Sequence, residues 1–204
     1  MKTIDYTEFE VKFYPVNKEE YRKKLLGMGA KLGIPERKMI RIVADKRGNP
    51  VLSSGKYVRV RDEGNVIRLS IKFMAESTGK MSDQKEIDVE VSDFEKTIKI
   101  IEYCGIKFNR RQENLREEWF YKGAQITIDL WPGLDPFSEI EAGSEEAVKE
   151  IAEELGFDWN KKIITPAAEV YAMVYRMDIN EVLEKISYIT FENNPFKNLK
   201  KYRI

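Results

Sequence analysis

Residues 6–13 read YTEFEVKF, and charged and apolar side chains alternate along them. Successive side chains of a β-strand point to opposite faces. Glu8, Glu10 and Lys12 therefore share one face of a predicted strand, and the apolar residues between them share the other. A strand with this pattern belongs to a sheet that buries one face and keeps the other polar.

The same period of two recurs further along the chain. Residues 56–73 contain two such segments, joined by the turn Glu63-Gly64-Asn65. Four later segments also alternate, and one short segment is mostly apolar. The strands predicted in this way cover residues 85–91, 115–121, 125–130 and 137–142, with the apolar one at residues 39–44.

Helices are predicted between these strands. Asn17 with Glu20, and Ser92 with Glu95, have the spacing of capping boxes. Ser144 is expected to start a third helix, and residues 166–177 form a fourth. Cys104, at the end of the second helix, is expected to be a small buried residue.

The predicted elements define an α+β protein with an antiparallel sheet and helices packed outside it. If the sheet closes into an eight-stranded barrel, its charged faces line a lumen wide enough for one small ligand. Buried charges without partners cost several kcal/mol, roughly. Such a lumen is therefore expected to contain water, a divalent metal and an anion.

Composition excludes several classes of chemistry. The 204 residues include no histidine and one cysteine, so Ser-His-Asp systems, histidine-bound zinc and internal disulfides are all impossible. Lys and Arg number 35, as do Asp and Glu, which argues against a nucleic acid partner. We see neither a signal peptide nor a membrane span, so we expect a soluble, cytoplasmic protein with no membrane partner.

The charged faces suggest the ligand. Carboxylates at positions i and i+2 of one strand can share a hard divalent cation. Arg59 and Arg61 present two guanidinium groups with the same spacing, which suits phosphate oxygens. A triphosphate satisfies both sets of groups, since it carries roughly four to five negative charges near neutral pH.

These residues resemble a known family. Residues 8–12 look like the ExExK signature of the CYTH domain, also called the triphosphate tunnel metalloenzyme superfamily. The resemblance covers about residues 1–175. The family's further motifs follow in order, and they are Arg59-Val60-Arg61, Ser70-Ile71-Lys72, the acidic strand 86–90, Arg116, Asp129 and Glu139-Ile140-Glu141. Asn114 stands where the family often has lysine, and Asp88 where it more often has glutamate.

The resemblance implies an eight-stranded antiparallel tunnel that uses Mg²⁺ or Mn²⁺ and binds a small-molecule triphosphate. By residue-by-residue match, one set of side chains would hold metal: Glu8, Glu10, Asp129, Glu139 and Glu141. A second set would hold phosphates: Lys12, Arg59, Arg61, Lys72 and Arg116.

The leading hypothesis is a metal-dependent hydrolase acting on inorganic triphosphate or on an organic or nucleoside triphosphate. Glu10 or Glu139 would position the attacking water, and Lys12 completes the candidate catalytic residues. Lys12 could act as a general base only with a lowered pKa, which nearby carboxylates oppose.

Two alternatives remain open. A class IV-type adenylate cyclase would make cyclic AMP and pyrophosphate from ATP, with an adenine stacked on Tyr57, Phe73, Trp119 or Tyr121. A non-catalytic module would bind triphosphate without turnover. The turn at residues 131–136 either joins two strands or also borders the tunnel.

The expected organisation is a tunnel domain over residues 1–178 followed by a C-terminal extension over residues 179–204. Whether the chain forms a homodimer is left open by the sequence.

Overall fold

The computed structural model describes residues 6–52, 55–73 and 80–204. In this part of the chain there are nine strands and five α-helices. The strands are β1 (Phe9–Phe13), β2 (Lys31–Asp45), β3 (Lys56–Asp62), β4 (Ile67–Phe73), β5 (Lys85–Val91), β6 (Arg110–Tyr121), β7 (Ala124–Leu130), β8 (Phe137–Ala142) and β9 (Tyr188–Ile189). The helices are α1 (Lys18–Gly27), α2 (Phe94–Tyr103), α3 (Glu145–Glu154), α4 (Ala167–Tyr175) and α5 (Ile179–Lys185).

Eight strands form one curled antiparallel sheet in the order β1-β8-β7-β6-β2-β3-β4-β5, and the short β9 adds in parallel to β6. The two ends of this order meet on one side of the molecule. Thr7 forms a bridge with Lys85, and the Glu8 backbone N–H donates to the Gln84 carbonyl oxygen at 2.9 Å. The expected tunnel fold, with helices packed outside, is confirmed.

The apolar face of the sheet is covered by the helices. Val11 and Ile140 pack with Leu25 of α1 and Ile151 of α3 in the largest core. A second core joins α4, α5 and the C-terminal segment, and it includes Phe196. Because the outer face is apolar, the charged face of the same strands points into the lumen.

Two strands are longer than their patterns predicted. We expected β2 over residues 39–44, but it begins at Lys31 and pairs with β6, which begins at Arg110. Residues 31–38 of β2 are mostly exposed and carry two register shifts, so they lack an alternating apolar signal. Pairing with β6, a long-range interaction, holds them in extended form.

Two local predictions were wrong. The second helix is capped by Asp93, whose carboxylate accepts from the Lys96 N–H at 2.8 Å, rather than by Ser92. Cys104 is exposed, because it lies at the C-terminal cap, beyond the last turn of the helix. The caps at Asn17 and Ser144 are confirmed.

Candidate active site

The lumen of the curled sheet is a cavity of about 830 Å³. Every strand from β1 to β8 contributes residues to its lining. Most of them come from the charged face of the strand, and a few are adjacent residues. Nine of the ten residues predicted to bind metal or phosphate lie in its wall. These are Glu8, Glu10, Lys12, Arg59, Arg61, Lys72, Arg116, Glu139 and Glu141.

Three of these carboxylates form a compact cluster. One oxygen from each of Glu8, Glu10 and Glu141 lies within 4.8 Å of the others. The register of the sheet explains part of this, since Glu10 stands directly opposite Glu141 in the β1–β8 pair. Burial, and then proximity to Glu10, raises the pKa of Glu141 to about 7. Burial also raises the pKa of Glu8. The charge of Lys72 opposes this rise, whereas the charges of Glu10 and Glu86 add to it.

This crowding is what a cation site requires. Negative charges held together in a poorly solvated site favour protonation, and a divalent cation removes the same repulsion. Oxygen ligands are those preferred by Mg²⁺ and Mn²⁺. The three carboxylates therefore fit such an ion.

Basic side chains gather on the middle strands of the sheet. Arg41 comes from β2, Arg59 and Arg61 from β3, and Arg116 from β6. Because the strand order closes at β1 and β5, these middle strands face the acidic strands across the lumen. Burial, and then the charge of Arg59, lower the pKa of Arg61 to about 10, as expected for guanidinium groups packed together.

Most of these cations are paired with carboxylates of the lumen. Arg59 Nη2 donates to Glu86 Oε1 at 2.5 Å, and Arg61 Nη2 donates to Glu63 Oε1 at 2.5 Å. Lys72 Nζ lies 2.6 Å from Glu86 Oε2. A bound polyanion would therefore share or replace carboxylate partners on this wall.

Lys12 of β1 connects its own strand to the neighbouring strand β8. Its amino group forms ion pairs with Glu10 and, at 3.4 Å, with Glu139. Burial alone would lower the pKa of Lys12, but the charges of Glu10 and Glu139 outweigh it and hold that pKa above its ordinary value. Lys12 is thus a fixed cation in this structure, which disfavours a role as general base.

Glu139 lies between the acidic cluster and the arginines. Its carboxylate accepts from Arg116, and it lies next to Lys12. Burial would raise the pKa of Glu139, but Arg116 and Lys12 outweigh it and hold the pKa below its ordinary value. An ionised carboxylate is therefore held beside two cations.

The structure does not bring Asp129 to the carboxylate cluster. Asp129 is fully buried and is not among the residues lining the cavity. Its carboxylate accepts from Arg116 Nε at 2.9 Å, Thr127 Oγ1 at 2.7 Å and Asn114 Nδ2 at 2.8 Å. In this position, outside the cavity lining, Asp129 orients the guanidinium group of Arg116.

Arg41 is a lumen residue that sequence reasoning missed. Its guanidinium donates to Asn114 Oδ1 and lies 4.5 Å from the centre of the Trp131 ring. Among the described residues no carboxylate forms an ion pair with Arg41, and its Nε is buried without a hydrogen-bond partner. Burial, and then the charges of Arg61, Arg59 and Arg116, lowers its pKa. The only signal in the sequence is its position in an otherwise apolar strand.

Asn114 acquires a role through this contact. It is fully buried and links Arg41 to Asp129. Arg41 therefore supplies a cation on β2, the strand that pairs with β6 beside Asn114.

The aromatic residues fall in two groups. Tyr57 lines the cavity, whereas Trp119 is buried in the outer core. The Tyr121 hydroxyl donates to Glu154 of α3, outside the lumen. Trp131 lines the cavity, so the turn after β7 does border the tunnel.

The chain belongs to the CYTH domain family, whose model matches residues 7–167. The fold and the charged lumen described above agree with that assignment. Among curated proteins, none matches this chain.

Solved structures share the fold. The PH1012 protein of Pyrococcus horikoshii OT3 is 22% identical, with a TM-score of 0.65 over 78% of this chain and 96% of that one. A candidate adenylate cyclase from Vibrio parahaemolyticus is 13% identical, with a TM-score of 0.71 over 83% and 99%. HpAC1 of Hippeastrum, a candidate adenylyl cyclase with a dominant triphosphatase activity, is 14% identical, with a TM-score of 0.54 over 81% and 94%.

Among the described residues, no helix is both long enough and apolar enough to cross a membrane.

Proposed function

We propose that this protein is a divalent-metal-dependent hydrolase of the triphosphate group, and that the triphosphate lies in the lumen. One observation carries the proposal. Three carboxylates whose oxygens lie within 4.8 Å of one another share a cavity with an array of buried arginines. Among common metabolites, a metal-bound polyphosphate matches both groups at once.

Glu8, Glu10 and Glu141 would hold Mg²⁺ or Mn²⁺. When bound, the ion would neutralise charge on the phosphate oxygens. Arg59, Arg61, Arg116, Lys72 and Lys12 would bind the phosphates, and Arg41 is added to this set by its position.

Hydrolysis requires little covalent chemistry from the protein. Water attacks the terminal phosphorus in line, and the bond from that phosphorus to the bridging oxygen breaks. Glu10 or Glu139 would accept a hydrogen bond from that water. Lys12 and Arg116 flank Glu139 and would stabilise charge on the departing phosphate oxygens.

The direct test is turnover by the purified protein. Tripolyphosphate and ATP are incubated with Mg²⁺ or Mn²⁺, and products are identified by ³¹P NMR. We expect orthophosphate release that EDTA abolishes and that Glu10→Gln lowers by about a hundredfold or more. Glu20→Gln, an exposed carboxylate of α1, is the matched control. Full metal-dependent turnover by Glu10→Gln would contradict the proposal.

A cyclase is the second candidate, because the fold is similar to that of the Vibrio protein. The same incubation separates the two reactions: cyclic AMP with pyrophosphate indicates cyclisation, and orthophosphate indicates hydrolysis. Tight binding by calorimetry with no product after long incubation would instead indicate a triphosphate-binding module.

A further inference from the structure

Residues 197–204 and the end of α4 form a basic surface outside the lumen. These eight residues read KNLKKYRI and contain four cations and no carboxylate side chain, although the whole chain has 35 residues of each sign. All four cations are exposed. None of the eight residues lines the lumen, so their charge is separate from the site described above.

Tyr202 holds this segment against α4. Its backbone N–H donates to the Val174 carbonyl oxygen at 2.8 Å. Arg176 Cζ lies 4.3 Å from the centre of the Tyr202 ring, and Lys200 Nζ lies 5.2 Å from it. These cation–π contacts bring a cation of α4 next to the cations of the segment. The positive charges therefore converge on one surface.

Most of this charge has no partner in the chain. In the part of the chain that the structure describes, Lys201 pairs with Asp135 at 2.7 Å, but four neighbouring cations form no ion pair. They are Arg176, Lys197, Lys200 and Arg203. Like charges at such short range repel one another, and an anionic surface relieves that repulsion. The surface therefore suits an anionic partner.

Apolar side chains lie among the cations. Leu199 is 40% exposed, and Met173 and Ile204 are each 37% exposed. Met173 lies in the last turn of α4, three residues before Arg176. Aliphatic side chains next to lysine and arginine are typical of surfaces that rest in the headgroup region of a bilayer. A single-stranded nucleic acid would instead need an open aromatic face, and the Tyr202 ring already contacts two cations.

We propose that this basic surface binds the anionic face of a lipid bilayer. The four unpaired cations contact the phosphate headgroups, and Leu199 and Ile204 lie between the headgroups. The sequence predicts no membrane partner because it has no apolar run long enough to cross a bilayer, but a peripheral contact needs no such run. This proposal does not depend on the proposed function, since the two concern different surfaces of the molecule.

The binding is expected to be reversible and sensitive to salt. Each cation near an anionic bilayer strengthens binding about fivefold. Screening by salt weakens contacts between exposed charges.

The test is co-sedimentation of the purified protein with lipid vesicles. Vesicles of phosphatidylcholine and phosphatidylglycerol in equal amounts are compared with vesicles of phosphatidylcholine alone. We expect binding to the anionic vesicles only, and we expect high salt to weaken it about tenfold or more.

A double variant assigns the binding to the basic surface. Lys200→Glu with Arg203→Glu should lower the affinity for anionic vesicles about twentyfold or more. It should leave triphosphate binding unchanged, because neither residue lines the lumen. Lys23→Glu with Lys31→Glu is the matched control, since it changes the net charge equally at two exposed lysines of α1 and β2.

A second pair of variants tests the apolar contribution. Leu199→Asn should weaken vesicle binding about threefold. Leu26→Asn, at an exposed leucine of α1, should leave it unchanged.

The remaining outcomes overturn the proposal. Equal binding to both kinds of vesicle, or equal weakening by the surface and control variants, would show that the basic surface is not the membrane contact. Binding to a single-stranded RNA oligonucleotide but to neither vesicle would identify a nucleic acid partner instead. Binding to none of them would leave the surface without the proposed partner, while the proposed triphosphatase is judged by turnover alone.

Discussion

Lys72 Nζ lies 2.9 Å from Glu8 Oε2, and this ion pair joins β4 to the segment that leads into β1. These two parts of the chain lie near opposite ends of the strand order. Lys72 also pairs with Glu86 of β5, so one amino group bridges two carboxylates where the sheet closes. The pair therefore contributes to closure as well as to the charged lumen.

Lys72→Met should impair both stability and binding. It leaves Glu8 and Glu86 buried with one cation fewer, and breaking a buried ion pair costs about 3 kcal/mol. We expect the free energy of unfolding in urea to fall by about that amount. Triphosphate affinity should fall as well. Lys149→Met on the exposed side of α3 is the control.

A double variant separates the two effects. Lys72→Met with Glu8→Gln removes both charges, so it should recover part of the stability but none of the affinity. Additive effects on stability in this cycle would show that the pair does not couple the two strands.

Mn²⁺ should stabilise the protein through the carboxylate cluster. A ligand that binds only the folded state contributes about 2.7 kcal/mol at a hundred times its Kd. We expect Mn²⁺ to raise the Tm of the wild-type protein, and Glu141→Gln to abolish that rise. Glu20→Gln should respond like the wild type. An undiminished Mn²⁺ response in Glu141→Gln would place the ion elsewhere.

Arg41→Met should separate stability from function. Arg41 is buried and has no carboxylate partner in the described chain, so its charge is costly in the folded protein without a bound anion. We expect the free energy of unfolding to stay level or rise by about 1–2 kcal/mol. Triphosphate affinity should fall about tenfold or more, because a hydrogen bond to a charged group is lost.

Arg41→Lys is the companion variant. Lysine keeps the charge but lacks the planar guanidinium that lies over Trp131 and donates to Asn114. An intermediate affinity would support recognition through guanidinium geometry. Wild-type affinity in Arg41→Met would exclude Arg41 from the phosphate site.

The C-terminal segment should be part of the folding unit. The sequence predicts that residues 179–204 are an extension of the tunnel domain. In the structure, four side chains of this segment are almost fully buried in one core with α4: Val182, Ile186, Ile189 and Phe196. Burying one such side chain contributes about 1.5–3 kcal/mol. A chain ending at residue 178 should therefore lose several kcal/mol, roughly, in urea unfolding.

A chain lacking only residues 203–204 is the control for that truncation. If the chain ending at residue 178 unfolds at the same urea concentration as the full protein, the extension is independent of the tunnel domain.

The lumen residues that the sequence identified share one property. Glu10, Lys12, Arg59 and Glu139 all lie on strands with clear alternation, where a side chain's face follows from its position alone. Arg41 was missed because its strand is largely apolar there. For the turn that contains Trp131 the sequence left both alternatives open, because a turn has no periodicity. Glu63 was assigned to a turn, yet it accepts from Arg61 in the lumen.

Alternation along each strand is local, so the sequence by itself determined which side chains share a face, and that one face of the sheet is charged and the other apolar. The tertiary structure alone decided which faces oppose each other. The contact of Glu8 with Lys72 and the crowding of Glu8, Glu10 and Glu141 both depend on how far the sheet curls. Curling is set by twist and packing summed over eight strands, and no short segment encodes that sum.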